Sequence, residues 1–192
     1  NINKFILYGN HTGASIAIEY GKLFPKNLRG LILESLPIFY DYESKEIIKN
    51  FFPPLIPKWD GSHLISVWTK VQDQFIWFPW YDKNSKRMHF WPYPSNLEIH
   101  NYTMDFLRSG DSYRDAYCAA FRYDSYKAAK SLRVPTIFLS IKSDILFSHK
   151  DRLPNLTKNQ SIVIVKNSSR RMGKIKDCIK SFKIENIQNN AI

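Results

Sequence analysis

The residues best spaced for chemistry lie close to the start of the sequence, in Gly9-Asn10-His11-Thr12-Gly13. Before them, Lys4-Phe5-Ile6-Leu7-Tyr8 is a short apolar run suited to a buried parallel strand. After them, Ala14 to Phe24 carries Ile16, Ala17, Tyr20, Leu23 and Phe24 at helical spacing, and Pro25 ends the pattern. A chain that leaves a strand, turns sharply and enters a helix lifts its central residue to the top of the sheet in a strained conformation. Glycines two positions to either side avoid a collision there. The lifted residue here is a histidine. An imidazole with a pKa near 6.5 is largely neutral at physiological pH, so His11 can attack as a nucleophile or draw a proton from water once a carboxylate orients it. Two further readings stand beside this one: the glycines serve only close helix–strand packing, or His11 only hydrogen-bonds a ligand.

These residues need elements to hold them. Leu28 to Glu34 is a second buried-strand candidate, which gives a strand, turn, helix, strand order within the span of a βαβ unit. The strand pattern returns at Val134 to Ile141 and at Ser161 to Val165, and a last helix is expected from about Gly173 to Glu185. Between the two sheet-forming segments, Pro53, Pro54 and Pro57 interrupt an aromatic stretch that reads as irregular. Helices follow. Asp60 caps one that places Leu64, Val67, Trp68, Val71 and Phe75 on a face, and Ser95 with Glu98 forms a capping box for a second. Ser112 opens a third, and Tyr126 to Leu132 forms a short fourth. His149 follows the carboxyl end of a strand, where ligands bind in open α/β sheets.

With these pieces in place the sequence resembles the α/β-hydrolase superfamily, in particular its epoxide-hydrolase and haloalkane-dehalogenase branch. The likeness rests on Tyr8 to Ala14 as the nucleophile elbow, on Arg29-Gly30-Leu31-Ile32-Leu33 as the next strand, and on Val134 to Asp144 as the strand and turn that carry the acid. It implies an α/β fold with a partial parallel sheet of the last four strands and a helical cap inserted after the second visible strand. The expected segments are core at 1–36, cap at 37–132 and core at 133–192. The resemblance puts His11 in the nucleophile position, Thr12 as the oxyanion N–H, and Asp144 as the acid with Glu34 as its rival. The family histidine belongs after the last strand, yet residues 166–172 read KNSSRRM and no histidine follows His149, which becomes the replacement candidate. His63 at a helix start, with Trp77 and Trp80 around Pro79, suits the wall of a substrate pocket. The implied activity is hydrolysis of a small, largely apolar ester, epoxide or halide. The alternative is an inactive relative that binds a ligand or partner.

Composition narrows the field. The sequence has 192 residues, 44% hydrophobic and 15% aromatic, which excludes a disordered or collagenous class. Mean hydropathy of -0.37 and no long uncharged apolar run argue against a membrane span. The net charge of +11 is scattered, and its one concentration, Lys166 to Lys183, reads as the solvated face of a helix. A nucleic-acid partner is therefore not expected, and a small-molecule substrate is. Neither a metal nor a cofactor is expected, since no His/Asp/Glu pair has helical ligand spacing beside an open site. Cys118 and Cys178 read as buried free thiols, which fits a reducing, cytoplasmic compartment. The sequence opens on Asn1, close to a core strand, and reads as the later part of a longer protein whose earlier part holds the second oxyanion loop. Oligomeric state is left open.

Overall fold

The computed structural model describes residues 4–89 and 92–188, so Asn1, where the first expected core segment begins, and Ile192, where the last ends, lie outside the described residues. The chain divides into two compact units, a sheet unit of residues 1–39 with 123–192 and a helical unit of residues 40–122. The division falls at 39/40 and 122/123 instead of the expected 36/37 and 132/133. The later boundary moves because Ala128, Ala129 and Leu132 are buried in the core of the sheet unit.

In the sheet unit, β1 (Phe5–Asn10) leads through α1 (Thr12–Leu23) to β2 (Leu28–Glu34), and β3 (Thr136–Ile141) is followed by β4 (Gln160–Val165). The strands pair in parallel in the order β1-β2-β3-β4. Side chains alternate between faces along a strand, and the core divides accordingly. Leu31, Leu33 and Phe138 pack with α1 and the short α6 (Ser125–Ser131), whereas Ile32, Ile137 and Leu139 pack against Ile175, Cys178 and Phe182 of α7 (Arg171–Gln188). Leu31, Ile32 and Leu33 are fully buried, and burying each contributes roughly 1.5–3 kcal/mol. Both cysteines are buried and free.

The helix after the elbow buries a different face from the one its large residues suggest. Ile16, Leu23 and Phe24 are exposed, and Ala14, Ala17, Ile18 and Gly21 are buried. Small residues let the helix approach the sheet closely: a Cβ on Gly21 would stand 2.7 Å from Leu31.

The helical unit contains α2 (Asp41–Asn50), α3 (Ser62–Gln74), α4 (Asn96–Ser109) and α5 (Tyr113–Arg122). The stretch expected to be irregular contains α2, since its prolines flank residues 41–50 without entering them. Asp60 holds the first N–H of α3 by accepting from Ser62, but the residue at the cap position is Gly61. Val67, Val71 and Ile99 form the buried centre between α3 and α4, with Trp68, Phe75 and Phe106 packed around it. The Ser95–Glu98 capping box forms as expected, whereas Leu97 and Tyr102 face outward.

The two elbow glycines are not equivalent. A Cβ on Gly9 would lie 2.2 Å from the Gly13 carbonyl oxygen, a backbone atom that has to move, whereas a Cβ on Gly13 meets nothing within 4 Å. Chemical denaturation should therefore show Gly9→Ala losing about 3 kcal/mol or more. Gly13→Ala should be neutral or stabilising by up to about 1 kcal/mol, because alanine is the better helix former. Equal effects of the two substitutions would contradict this packing.

Candidate active site

His11 stands alone between β1 and α1 with φ +48° and ψ −117°. That left-handed region costs a β-carbon residue about 1–3 kcal/mol, so the surroundings must hold it there. They do so through the backbone. The His11 N–H donates to the Glu34 carbonyl at 3.1 Å, and the His11 carbonyl accepts from Ala14 and Ser15 N–H at 2.8 and 3.3 Å. Ser35, past the end of β2, also has φ +48°, and its N–H donates to Leu139 at 2.8 Å. The ends of three neighbouring strands are thus laced together below the His11 ring.

Asp144 reaches that ring from the turn after β3. Its N–H donates to Ile141, its Oδ1 accepts the Leu146 N–H at 2.8 Å, and its Oδ2 lies 2.8 Å from His11 Nε2. Burial raises the Asp144 pKa, but the His11 hydrogen bond and charge and the Leu146 N–H outweigh it and leave the carboxyl below its ordinary 3.8. An ionised carboxylate only accepts hydrogen bonds, so Nε2 carries the proton and donates it. In the neutral ring the lone pair is then on Nδ1, which makes Nδ1 the basic and nucleophilic atom. The His11 side chain remains 36% exposed, against 12% for Asp144. Thr12 is the first residue of α1, where backbone N–H groups lack partners within the helix and the helix dipole favours negative charge.

Glu34 has another role from the one expected. Its side chain is 2% exposed, and Arg171 Nε donates to its two oxygens at 2.8 and 3.0 Å. The Tyr8 hydroxyl donates to Oε2 at 2.8 Å and the Asn10 amide to Oε1 at 3.0 Å, while Arg171 also donates to the Tyr8 oxygen at 2.7 Å. Burial first, and then the Glu34 carboxylate, raise the Tyr8 pKa. Glu34 is thus the anionic centre of a cluster, and Asp144 is the carboxylate on the His11 ring. Sequence spacing alone assigns no such role to Arg171, Tyr8 or Asn10. The available signal was an arginine pair after the last strand, where a histidine belongs, opposite an acid at the end of a buried strand.

His149 is buried in the 3₁₀ helix Phe147–Arg152; its Nδ1 accepts the Ile38 N–H at 2.9 Å and its ring packs edge-on to Phe39 at 4.7 Å. Its Nδ1 is thereby engaged by the backbone of residue 38, and the carboxylate of Asp144 meets His11 instead of His149. In the helical unit, His63 Nδ1 accepts the Lys58 N–H at 3.1 Å, and Trp80 donates to the Phe51 carbonyl at 3.0 Å. Both line a cavity of about 630 Å³. Trp77 instead forms an isolated antiparallel bridge with Met88.

No family model matches the sequence, and no curated protein matches it. Solved structures do. The chain is similar to an enol-lactonase from Burkholderia xenovorans LB400, at TM-score 0.57 and 11% identity over 95% of this chain and 66% of that one. It is also similar to MGS-M2, an alpha/beta hydrolase enzyme from a Medee basin deep-sea metagenome library, at 0.52 and 16% over 95% and 66%. An esterase from Exiguobacterium antarcticum follows at 0.55 and 15% over 92% and 65%. The chain has the α/β-hydrolase fold. It spans 65–66% of the length of these three neighbours. Within this fold His11 lies at the turn between the first described strand and its helix, and Asp144 follows the third of the four described strands. Among the described residues no helix is long and apolar enough to cross a membrane.

Two measurements test these assignments. Because the folded Asp144 pKa is depressed, the stability it contributes is present above its unfolded value and is lost as pH falls through the folded one. Thermal unfolding of the parent should therefore lose stability below about pH 4, and Asp144→Asn should flatten that acid limb. Second, Arg171→Leu leaves a buried carboxylate without its cation and should cost about 3 kcal/mol in denaturant unfolding. Adding Glu34→Gln should recover a substantial part of it; additive losses would deny the pairing.

Proposed function

We propose that the chain belongs to a hydrolase of small, largely apolar carboxylic esters in which His11 is the reacting base or nucleophile. Asp144 orients the ring, and the Thr12 N–H receives the developing oxyanion. The observation that carries this reading is the 2.8 Å bond between His11 Nε2 and Asp144 Oδ2, made by a residue held at a left-handed turn beside a helix N-terminus.

The chemistry of imidazole selects among the substrates that the resemblance implied. Attack of Nδ1 on an ester carbonyl gives a tetrahedral intermediate that expels alkoxide; the acyl-imidazolium left behind yields its Nε2 proton, which reaches the alkoxide through solvent, so alcohol departs and an acyl-imidazole remains. Water cleaves that species, returning the carboxylic acid and free His11. Attack on an epoxide or haloalkane would instead give an N-alkyl imidazolium, which water does not release. An epoxide or halide is therefore compatible with His11 only as a base on water, whereas an ester is compatible with both roles. The esterase and enol-lactonase among the fold neighbours support the ester reading. His63, Trp77 and Trp80 are proposed to meet the apolar part of the ligand, supported for His63 and Trp80 by their place in the cavity wall. A cytoplasmic location is proposed on the two free thiols.

A second reading, ligand binding without turnover, is favoured by one observation. The segment after β4 presents Arg171 to Glu34, so a separate histidine to protonate the leaving alkoxide is not supplied from there.

Hydrolysis of p-nitrophenyl butyrate by the protein, compared with His11→Ala, decides between them. The hydrolytic reading expects saturable turnover that falls at least about a hundredfold in the variant, with folding retained. The other four histidines remain in both proteins and control for adventitious imidazole catalysis. Unchanged turnover in His11→Ala removes His11 from the mechanism, and absence of turnover in the parent leaves the binding reading.

A further inference from the structure

The cavity of the helical unit contains a charge that packing alone does not explain. Lys70, on α3, is 7% exposed. Its Nζ lies 4.5 Å from the ring centroids of both Phe106 and Tyr113 and 5.8 Å from that of Trp80. It donates to the Tyr113 oxygen at 3.3 Å, while the Tyr113 hydroxyl spends its own proton on the Pro53 carbonyl at 2.6 Å. Among the described residues no carboxylate forms an ion pair with Lys70; the nearby Asp73 is paired with Lys83 at 2.6 Å. Lys58, Lys70 and Lys83 line the cavity against Asp73 as its carboxylate, an excess of positive charge in a wall otherwise rich in apolar residues such as Leu55, Ile56 and Ile65.

A buried ammonium held by aromatic faces gains less from cation–π attraction than desolvation costs it. A methionine of similar length would pack there without that cost. Burial accordingly pushes Lys70 down to about 8. The ammonium still predominates near neutral pH and is poised to gain a counterion. A singly charged, weakly hydrated anion suits such a wall better than a phosphate dianion, because the apolar surface replaces little of the anion's water.

We propose that this cavity binds a monocarboxylate with an alkyl or aryl body, its carboxylate on Lys70 Nζ and its body against Trp80 and Phe106. The inference deepens the ligand role given above to His63 and Trp80 and rests on that reading only in taking the cavity as a ligand site. Ester cleavage by His11 is not required for it.

Sodium octanoate and neutral octanamide, titrated calorimetrically into the full chain near neutral pH, test the proposal. Octanoate should bind saturably and at least about tenfold more tightly than octanamide, the scale of one charge-assisted hydrogen bond. The preference should shrink as pH rises well above 8, when Lys70 loses its proton. The other charged or titratable groups at the cavity wall are Asp73, Lys83, Lys58, His63 and Tyr113, the last pushed by burial to about 12. Lys70→Met should raise the unfolding midpoint and abolish the preference while still taking octanamide. Equal affinity for the two ligands, no binding of either, or a preference that survives Lys70→Met overturns the proposal. The outcomes are separable: octanoate preference in a parent that shows no ester turnover counts against the hydrolytic reading alone, and ester turnover without octanoate preference counts against this inference alone.

Discussion

The strained backbone at His11 is the constraint on which the rest of the sheet unit depends. A side chain at φ +48° between a strand and a helix is unfavourable by itself, and it persists because the adjoining backbone leaves no alternative. The Gly13 carbonyl passes so close to Gly9 that only hydrogen fits on the Gly9 α-carbon, and the His11 amide is tied to the end of β2. Helix α1 then presses a face of small residues onto the sheet, fixing where its N-terminus points. The chemistry of the site follows from that fixed direction.

Much of this was legible in the sequence, because it rests on patterns that local physics produces. The four strands announce themselves as short apolar runs, although only β2 and β3 are buried along most of their length and the edge strands β1 and β4 are not, and the turn at His11 stands out as a strand run, two glycines and a helical run. The sequence leaves Asp144 and Glu34 both open as the partner of His11, since each lies at or just past a strand end. Choosing between them required knowing where Arg171 goes, and that depends on a contact across 137 positions. No local pattern encodes such a distance. The buried face of α1 departs from its sequence pattern for a related reason. Large apolar residues normally mark the buried side, but close packing on a sheet favours alanine and glycine, so Ile16 and Leu23 turn outward. Lys70 carries no local signal, because a lysine in an amphipathic helix ordinarily belongs to its solvated face, and only the tertiary structure shows aromatic rings around it.

The two carboxylates at the strand ends show how environment divides similar groups between tasks. Glu34 is surrounded by donors on three sides and serves as an anchor, holding β1, β2 and the start of α7 through Tyr8, Asn10 and Arg171. Asp144 has one oxygen fixed by its own turn and the other directed at His11. An acid whose lone pairs are all engaged by fixed donors contributes structure, whereas one held by its backbone and aimed at a partly exposed ring can orient a reacting group.

The bond from the His11 amide to the Glu34 carbonyl has one more implication. It continues the β1–β2 ladder, so one residue is joined to one neighbouring strand by its backbone and to the turn after another by its ring. Strands advance about 3.3 Å per residue, and a slip that keeps each side chain on its own face moves by two. Such a slip would carry Nε2 more than 6 Å from its present position, about twice the length of the bond it makes. The pair therefore serves as a vernier for strand register. A downfield imidazole proton resonance would mark molecules whose sheet is correctly aligned, and a collapsed chain with the same helical content but shifted strands would lack it.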